Sequence, residues 1–171
     1  MDEIINKVEK SGLITFDLED YYPKESRHVF DLKIYLYEEL ILREKDFRKS
    51  LNELDWTQYQ NSYVAVHCSS DAIVPSWAYL LVASYLTGYA KMISFGTLQD
   101  LERDIYTEII QSINANDYID KKVIVKGCSN KPVPQNAYLQ IIQKLKPVVS
   151  SLMFGEACST VPIYKKKKTE S

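Results

Sequence analysis

Apolar and polar residues follow two different periods in the second half of the chain. β-Branched runs at 63–67 and 122–126, with weaker apolar runs at 91–95 and 149–154, predict four strands. Between them, apolar residues recur every three to four positions, as in the stripe over 98–113, which predicts helices. Strands that alternate with helices predict an α/β fold with an about four-stranded, mainly parallel sheet and helices on both faces. Thr97 and Asp100 resemble a capping box at the start of one helix.

The first 60 residues have a less regular pattern. Leu13 to Leu18 alternate between apolar and polar positions and predict an edge strand, whereas a long helix is predicted over about 27–54. No linker rich in Gly, Ser or Pro interrupts the chain. We therefore expect a single α/β domain over 1–171, with a mostly helical N-terminal segment at 1–60, a βα core at 61–164 and a disordered basic tail at 165–171.

The chain contains an internal repeat. When residues 74–96 are shifted by 59 positions onto 133–155, eight of the 23 pairs are identical, against roughly one or two expected from average composition. A shared βα pattern would explain the apolar matches but not the repeated Val-Pro and Phe-Gly boundaries. The repeat predicts two related β-loop-α-β units.

The three cysteines share a local sequence. Cys68, Cys128 and Cys158 are each followed by serine and, a few residues later, by Val-Pro. Each cysteine also follows a predicted strand, and the carboxyl ends of parallel strands share the sheet edge where ligands bind. Nearby helix N-termini would favour the thiolate form. We therefore expect the three thiols on one side of the molecule.

Three interpretations of these cysteines remain open: a three-thiolate metal site, which we favour, small buried side chains, or a catalytic thiol. Three thiolates leave one metal position free, and His67, Asp71 or Glu156 would supply a fourth ligand or a base. Ser69, Ser129 and Ser159 would support the site by hydrogen bonds to sulfur. The metal would be zinc or that of an iron–sulfur cluster.

These interpretations correspond to different functions, and no catalytic residue is identified. An iron–sulfur carrier or assembly accessory is expected first. A zinc-dependent enzyme with an open coordination position and a metal-free interaction module with incidental cysteines are the alternatives.

Composition excludes several classes of partner. The net charge of −2 and pI near 5.7 give no general attraction to nucleic acid or to an anionic membrane. No apolar stretch approaches the roughly 18 to 20 residues of a membrane helix, and the N-terminus is acidic rather than basic, so we expect a cytoplasmic protein. Thiols stay reduced in the cytoplasm, which argues against disulfides.

Five phrases carry a resemblance to a known family. They are Ser11–Thr15, Leu40–Phe47, Cys68–Tyr79, Lys126–Pro134 and Gly155–Pro162. Together they resemble the family catalogued as domain of unknown function 2480. The resemblance implies a bacterial protein with no assigned reaction, and iron–sulfur assembly proteins as partners.

Overall fold

The computed structural model describes residues 12–127 and 130–167. The chain divides into two compact units: the first runs up to Pro23 and resumes at Tyr106, and the second is Lys24–Ile105. The second unit is therefore inserted, in sequence, between two parts of the first. The predicted single domain with its internal boundaries stays a prediction.

The described residues form strands, α-helices and short 3-10 helices that alternate along the chain. The strands are β1 Leu13–Asp17, β2 Arg27–Asp31, β3 Leu36–Tyr37, β4 Ile41–Leu42, β5 Tyr63–His67, β6 Met92–Phe95, β7 Lys122–Lys126, β8 Ser151–Glu156 and β9 Ser159–Lys165. The α-helices are α1 Glu44–Glu53, α2 Ser76–Leu86, α3 Leu98–Ser112 and α4 Gln135–Leu145. The 3-10 helices are Leu18–Tyr21, Leu32–Tyr35, Trp56–Tyr59 and Ala115–Tyr118.

The α/β class and a four-stranded, mostly parallel sheet are confirmed, but the strands of that sheet differ from those predicted. The first unit has the order β1-β7-β8-β9, in which only β9 is antiparallel, and the second has the parallel order β2-β5-β6. The four predicted strands are thus divided between two sheets. Alternating periodicity identifies strands, but it does not specify which strands pair when the partner is distant in sequence.

The long helix predicted over about 27–54 is wrong, and the described part of the N-terminal segment is not mostly helical. Residues 27–31 form the strand β2, in which Phe30 is buried, and the Asp31 carboxylate caps the following 3-10 helix through the Lys33 N–H at 2.9 Å. Glu38 and Glu39 then have positive φ angles of 50° and 58° in the β3–β4 turn. A continuous α-helix does not accommodate such a conformation, so a helix begins only at Glu44.

Three consecutive elements recur at the same spacing in the two units. Strands β5 and β7 begin at 63 and 122, helices α2 and α4 at 76 and 135, and strands β6 and β8 at 92 and 151. The first strands, β1 and β2, both end in Phe-Asp and lead into a 3-10 helix that starts with a buried leucine. In both cases the aspartate accepts a hydrogen bond from the N–H two residues later.

Each unit has its own apolar core. The first is formed by Phe16, Leu18, Tyr106, Ile110, Val123, Val125, Val133, Ala137, Ile141, Leu145, Val149 and Leu152. The second is formed by Phe30, Leu32, Phe47, Leu51, Trp56, Tyr59, Val64, Val66, Ala78, Val82 and Leu86. Its aromatic rings stack, with Trp56 5.6 Å from Phe30 and 4.9 Å from Tyr85, and the Trp56 indole N–H donates to the Leu51 carbonyl. The buried tryptophan therefore joins α1, β2 and α2 without an unpaired polar group.

An ion pair fastens the start of β2 to α3 in the second unit. Arg27 donates from Nε to Glu102 Oε1 at 2.7 Å and from Nη2 to Oε2 at 3.3 Å, and the two side chains are only 14% and 15% exposed.

We expect Glu102→Ala to lower the free energy of unfolding by about 2 kcal/mol in urea denaturation, because the guanidinium loses a charge-assisted pair in a partly buried place. Glu44→Ala, which removes the exposed partner of Arg48, is the control and should cost about 0.5 kcal/mol or less. Equal losses in both variants would contradict this assignment.

Candidate functional site

The structure places two of the predicted cysteine ligands in different surroundings. Cys68 follows β5 in the second unit, where it is partly buried and packs against the apolar core. Cys158 is exposed in the turn between β8 and β9 of the first unit. Cys128 and the supporting Ser129 lie outside the described residues.

The metal-binding interpretation is wrong. Over residues 12–127 and 130–167, no group of three or more His, Cys, Asp or Glu side chains could hold a metal ion. Cys68 contributes to an apolar core instead of a ligand cluster, as small buried cysteines often do. This overturns both metal-dependent functions, the iron–sulfur carrier and the zinc enzyme. No observation bears on the choice between the two metals or on iron–sulfur assembly proteins as partners.

The other predicted site residues fall on two loops. His67, Ser69 and Asp71 lie at or just after the end of β5, with His67 half-buried and Asp71 exposed. Glu156 ends β8 and Ser159 begins β9, opposite each other across the hairpin. The Glu156 carboxylate lies 3.5 Å from Lys126 Nζ. Their predicted roles as ligand, base or supporting groups stay predictions.

Asp31 organises the end of β5 and was missed by sequence reasoning. Its carboxylate accepts hydrogen bonds from the Ser69 N–H at 3.0 Å, the Ser69 hydroxyl at 2.5 Å and the Lys33 N–H at 2.9 Å. Burial alone would raise the pKa of Asp31, but the hydrogen bonds from Ser69 and Lys33 outweigh it and hold the pKa below its usual value. His67 lies opposite Asp31 in the strand register and lowers the same pKa further. The carboxylate therefore fixes the loop that carries Cys68.

The first unit has a related arrangement. Asp17 lies opposite Lys126 in the register of β1 and β7, and the two side chains form an ion pair at 3.3 Å. Asp17 and Asp31 both stand in a Phe-Asp-Leu phrase, and its repetition 14 residues apart is the sequence signal that could have identified them. In each unit, a carboxylate at the end of the first strand faces a basic residue at the end of its neighbour.

When the sequences of the two units are aligned, the cysteines do not occupy equivalent positions. The 59-residue shift that superimposes β5 on β7 matches Cys68 with Gly127, and Ser69 with Cys128. A Cβ atom at Gly127 would lie 2.8 Å from the Tyr138 hydroxyl and 3.2 Å from the Leu18 Cβ. The first unit therefore has no room for a side chain where the second has its thiol, and the repeated Cys-Ser phrases do not mark equivalent positions.

Each unit also carries an apolar groove between a helix and the third strand of its sheet. Groove 1, of about 610 Å³, is lined by Val125, Asn136, Tyr138, Leu139, Gln140, Ile142, Gln143, Phe154 and Ile163. Groove 2, of about 360 Å³, is lined by Val66, Ser76, Tyr79, Leu80, Ala83, Ile93, Ser94 and Phe95. In both, a tyrosine packs edge-to-face against a phenylalanine, with ring centroids 5.6 Å apart for Tyr138–Phe154 and 5.1 Å apart for Tyr79–Phe95.

The two grooves expose apolar side chains to a similar extent, with one difference. Leu139 and Leu80 are 68% and 69% exposed, whereas Phe154 is 39% and Phe95 is 72% exposed. Ile163 of β9 lines groove 1, and groove 2 has no residue in that role. The two grooves therefore have matching residues on the helix and the sheet, and they differ in what lies at the outer edge of the third strand.

A model of a known protein family covers nearly the whole chain. A family described as "Protein of unknown function (DUF2480)" matches residues 2–166. The chain belongs to this family. No curated protein and no solved structure matches this DUF2480 chain. Over its described residues, none of the helices combines the length and apolar character needed to cross a membrane. The predicted cytoplasmic location stays a prediction.

The hydrogen bonds to Asp31 lead to a pH-dependent prediction. Because the folded-state pKa of Asp31 lies below the unfolded value of about 4, its contribution to stability is complete above that pH and is lost as the pH falls through the folded-state pKa. At pH 7 we expect Asp31→Ala to lower the free energy of unfolding by about 1–2 kcal/mol. The difference from the wild type should shrink in urea titrations carried below about pH 4. Asp71→Ala removes the same charge from an exposed position on the same loop, and a loss of similar size there would contradict the role of Asp31.

The two described cysteines should respond differently to substitution. Cys68→Ser places a hydroxyl against the apolar core and should cost about 1 kcal/mol, whereas Cys158→Ser should change stability by less than about 0.5 kcal/mol. In a Cys128→Ser background, a thiol reagent should modify native Cys158 faster than Cys68. Equal rates of modification at the two thiols would contradict this assignment.

Proposed function

We propose that this DUF2480 chain is a protein-interaction module that binds partner proteins through grooves 1 and 2. The observation that carries the proposal is the pair of matching grooves, each with a leucine about two-thirds exposed beside an exposed phenylalanine. Scattered exposed apolar residues are common, but apolar side chains grouped over a groove mark interaction surfaces. This is the metal-free alternative among the functions expected from the sequence.

The shape of the grooves favours a protein segment over a small molecule. Small-molecule sites bury most of the ligand surface in a concave pocket with a few convergent polar groups. Here Leu80, Phe95 and Leu139 remain largely open to solvent, so a small ligand would be enclosed on one side only. A protein segment that lies along the helix and strand would cover these side chains from above and remove their apolar surface from water.

We further propose that the two units descend from one duplicated β-loop-α-β element and kept its binding groove. Support comes from the 59-residue spacing of three consecutive elements and from the identical Tyr-Leu pairs at 79–80 and 138–139. Two grooves on one chain allow a single partner with two binding segments to use both, which raises the apparent affinity above that of either contact. This use of both grooves would explain why exposed leucines occur in both units.

A photoreactive residue placed at position 80 or 139 tests the proposal. We expect the residue at each position to crosslink to a specific partner protein in cells of the source organism. The purified partner should also bind the wild-type chain. Leu80→Glu and Leu139→Glu should each weaken that binding by at least about tenfold, because a charge would be buried in the contact. Both leucines are mostly exposed, so neither change should destabilise the fold by more than about 0.5 kcal/mol.

Ile34 provides a matched control. It is 78% exposed and lines neither groove, so Ile34→Glu should leave binding unchanged. Crosslinking at position 34 equal to that at 80 and 139, or crosslinking only between copies of this chain, would contradict the proposal.

A further inference from the structure

The third strands of the two sheets differ in what lies on their outer edge. In the first unit, β8 pairs with β7 on one side and with the antiparallel β9 on the other. In the second unit, β6 pairs with β5 alone, and no other strand in residues 12–127 and 130–167 pairs with it. Within the described part of the chain, the second sheet therefore lacks the strand that completes the first.

The backbone of β6 presents hydrogen-bonding groups at this open edge. The Gly96 N–H donates to the Val66 carbonyl of β5 at 3.0 Å. Because backbone groups point to alternate sides along a strand, the N–H groups of Ile93 and Phe95 face outward, as that of Phe154 faces β9. These outward groups match the pairing positions that β9 uses in the first sheet.

Groove 2 exposes apolar surface that a strand equivalent to β9 would cover. In groove 1, β9 contributes Ile163 to the lining, and Phe154 is 39% exposed. In groove 2, where that strand has no counterpart, the matching Phe95 is 72% exposed. An added strand would thus form backbone hydrogen bonds and cover Phe95 in one step.

The edge of β6 also carries few of the features that block strand addition. The exposed strand β9 has Pro162 near its centre, Lys165 at its end and a register shift in its pairing between Leu152 and Met153. The sequence of β6, Met-Ile-Ser-Phe, contains neither proline nor charge, and only its length of four residues limits pairing. Four residues are sufficient for a short added strand anchored by an apolar side chain in the adjoining groove.

We propose that the edge of β6 binds an extended segment of the partner protein as an antiparallel strand, in the place that β9 occupies beside β8. This inference rests on the proposed function and specifies how groove 2 is used. The occupant resembles β9 in chemistry: it is extended, carries β-branched apolar residues at alternate positions, and places one of them against Phe95 and Leu80. Backbone pairing supplies affinity, and the groove selects the side chain.

A synthetic peptide with the sequence of residues 159–166 is the probe. Added to the isotopically labelled full chain, it should shift the amide resonances of Ile93 and Phe95 and reduce their hydrogen exchange. Shifts confined to Leu152 and Phe154 would mean exchange with β9 and would overturn the proposal. An absence of binding at millimolar peptide would overturn it as well.

Backbone methylation separates strand pairing from side-chain docking. In the first sheet Val161 is opposite Phe154, whose backbone groups face β9, so the Val161 N–H points into the pair and the Thr160 N–H points away. N-methylation of Val161 should weaken peptide binding by at least about tenfold, and N-methylation of Thr160 should change it by less than about threefold. Equal effects of the two modifications would overturn strand addition.

Ile93→Pro tests the same contact from the protein side, with Ile93→Ala as the control for loss of the side chain. Ile93→Pro removes one outward N–H while the bonds of β6 to β5 remain, so it should weaken binding of the peptide by about tenfold relative to Ile93→Ala. Should this variant fail to fold, the methylated peptides still decide the outcome on the wild-type chain. Binding that is lost in Leu80→Glu but unaffected by Ile93→Pro and by Val161 methylation would reject strand addition and retain the groove. Loss of photocrosslinking at position 80 would instead reject the proposed function itself.

Discussion

The parallel pairing of each unit's first strand with its second is the constraint on which both units depend. Leu13 pairs with Lys122 in the first unit and Arg27 pairs with Tyr63 in the second, at sequence separations of 109 and 36 residues. For a flexible chain, closing the longer loop costs only about 1 kcal/mol more, because the entropy of closure grows with the logarithm of length. A complete second unit can therefore follow β1 in the sequence with only a small loss of loop-closure entropy.

The pairing of these strands also explains the polar residues at their ends. Parallel pairing places Asp31 opposite His67 and Asp17 opposite Lys126, so a carboxylate meets a basic residue in each unit. The Asp31 carboxylate then orders the loop after β5 through Ser69, and the Asp17 carboxylate pairs with Lys126. Several polar residues near the cysteines thus form hydrogen bonds and ion pairs that hold the strand ends and loops in place.

The two units differ most at the outer edge of the third strand. Strand β9 extends the first sheet and covers part of Phe154, whereas Phe95 in the second stays open. Cys158, which the sequence placed among metal ligands, lies in the turn that leads into β9. The hairpin is therefore better explained by completing a sheet than by coordinating a metal, and the two grooves differ at this outer edge.

Local patterns in the sequence determined a considerable part of this structure. β-Branched runs identified β5 and β7, the apolar stripe identified α3, and Thr97 with Asp100 forms the capping interaction, in which the Thr97 N–H donates to the carboxylate at 2.8 Å. These features depend on residues within a few positions of one another. Only the tertiary structure decided that the strands belong to two sheets, that 27–31 is a strand, and that Cys68 packs in an apolar core. Each of these outcomes depends on partners distant in sequence, and local periodicity carries no information about which distant strand or side chain a residue will meet.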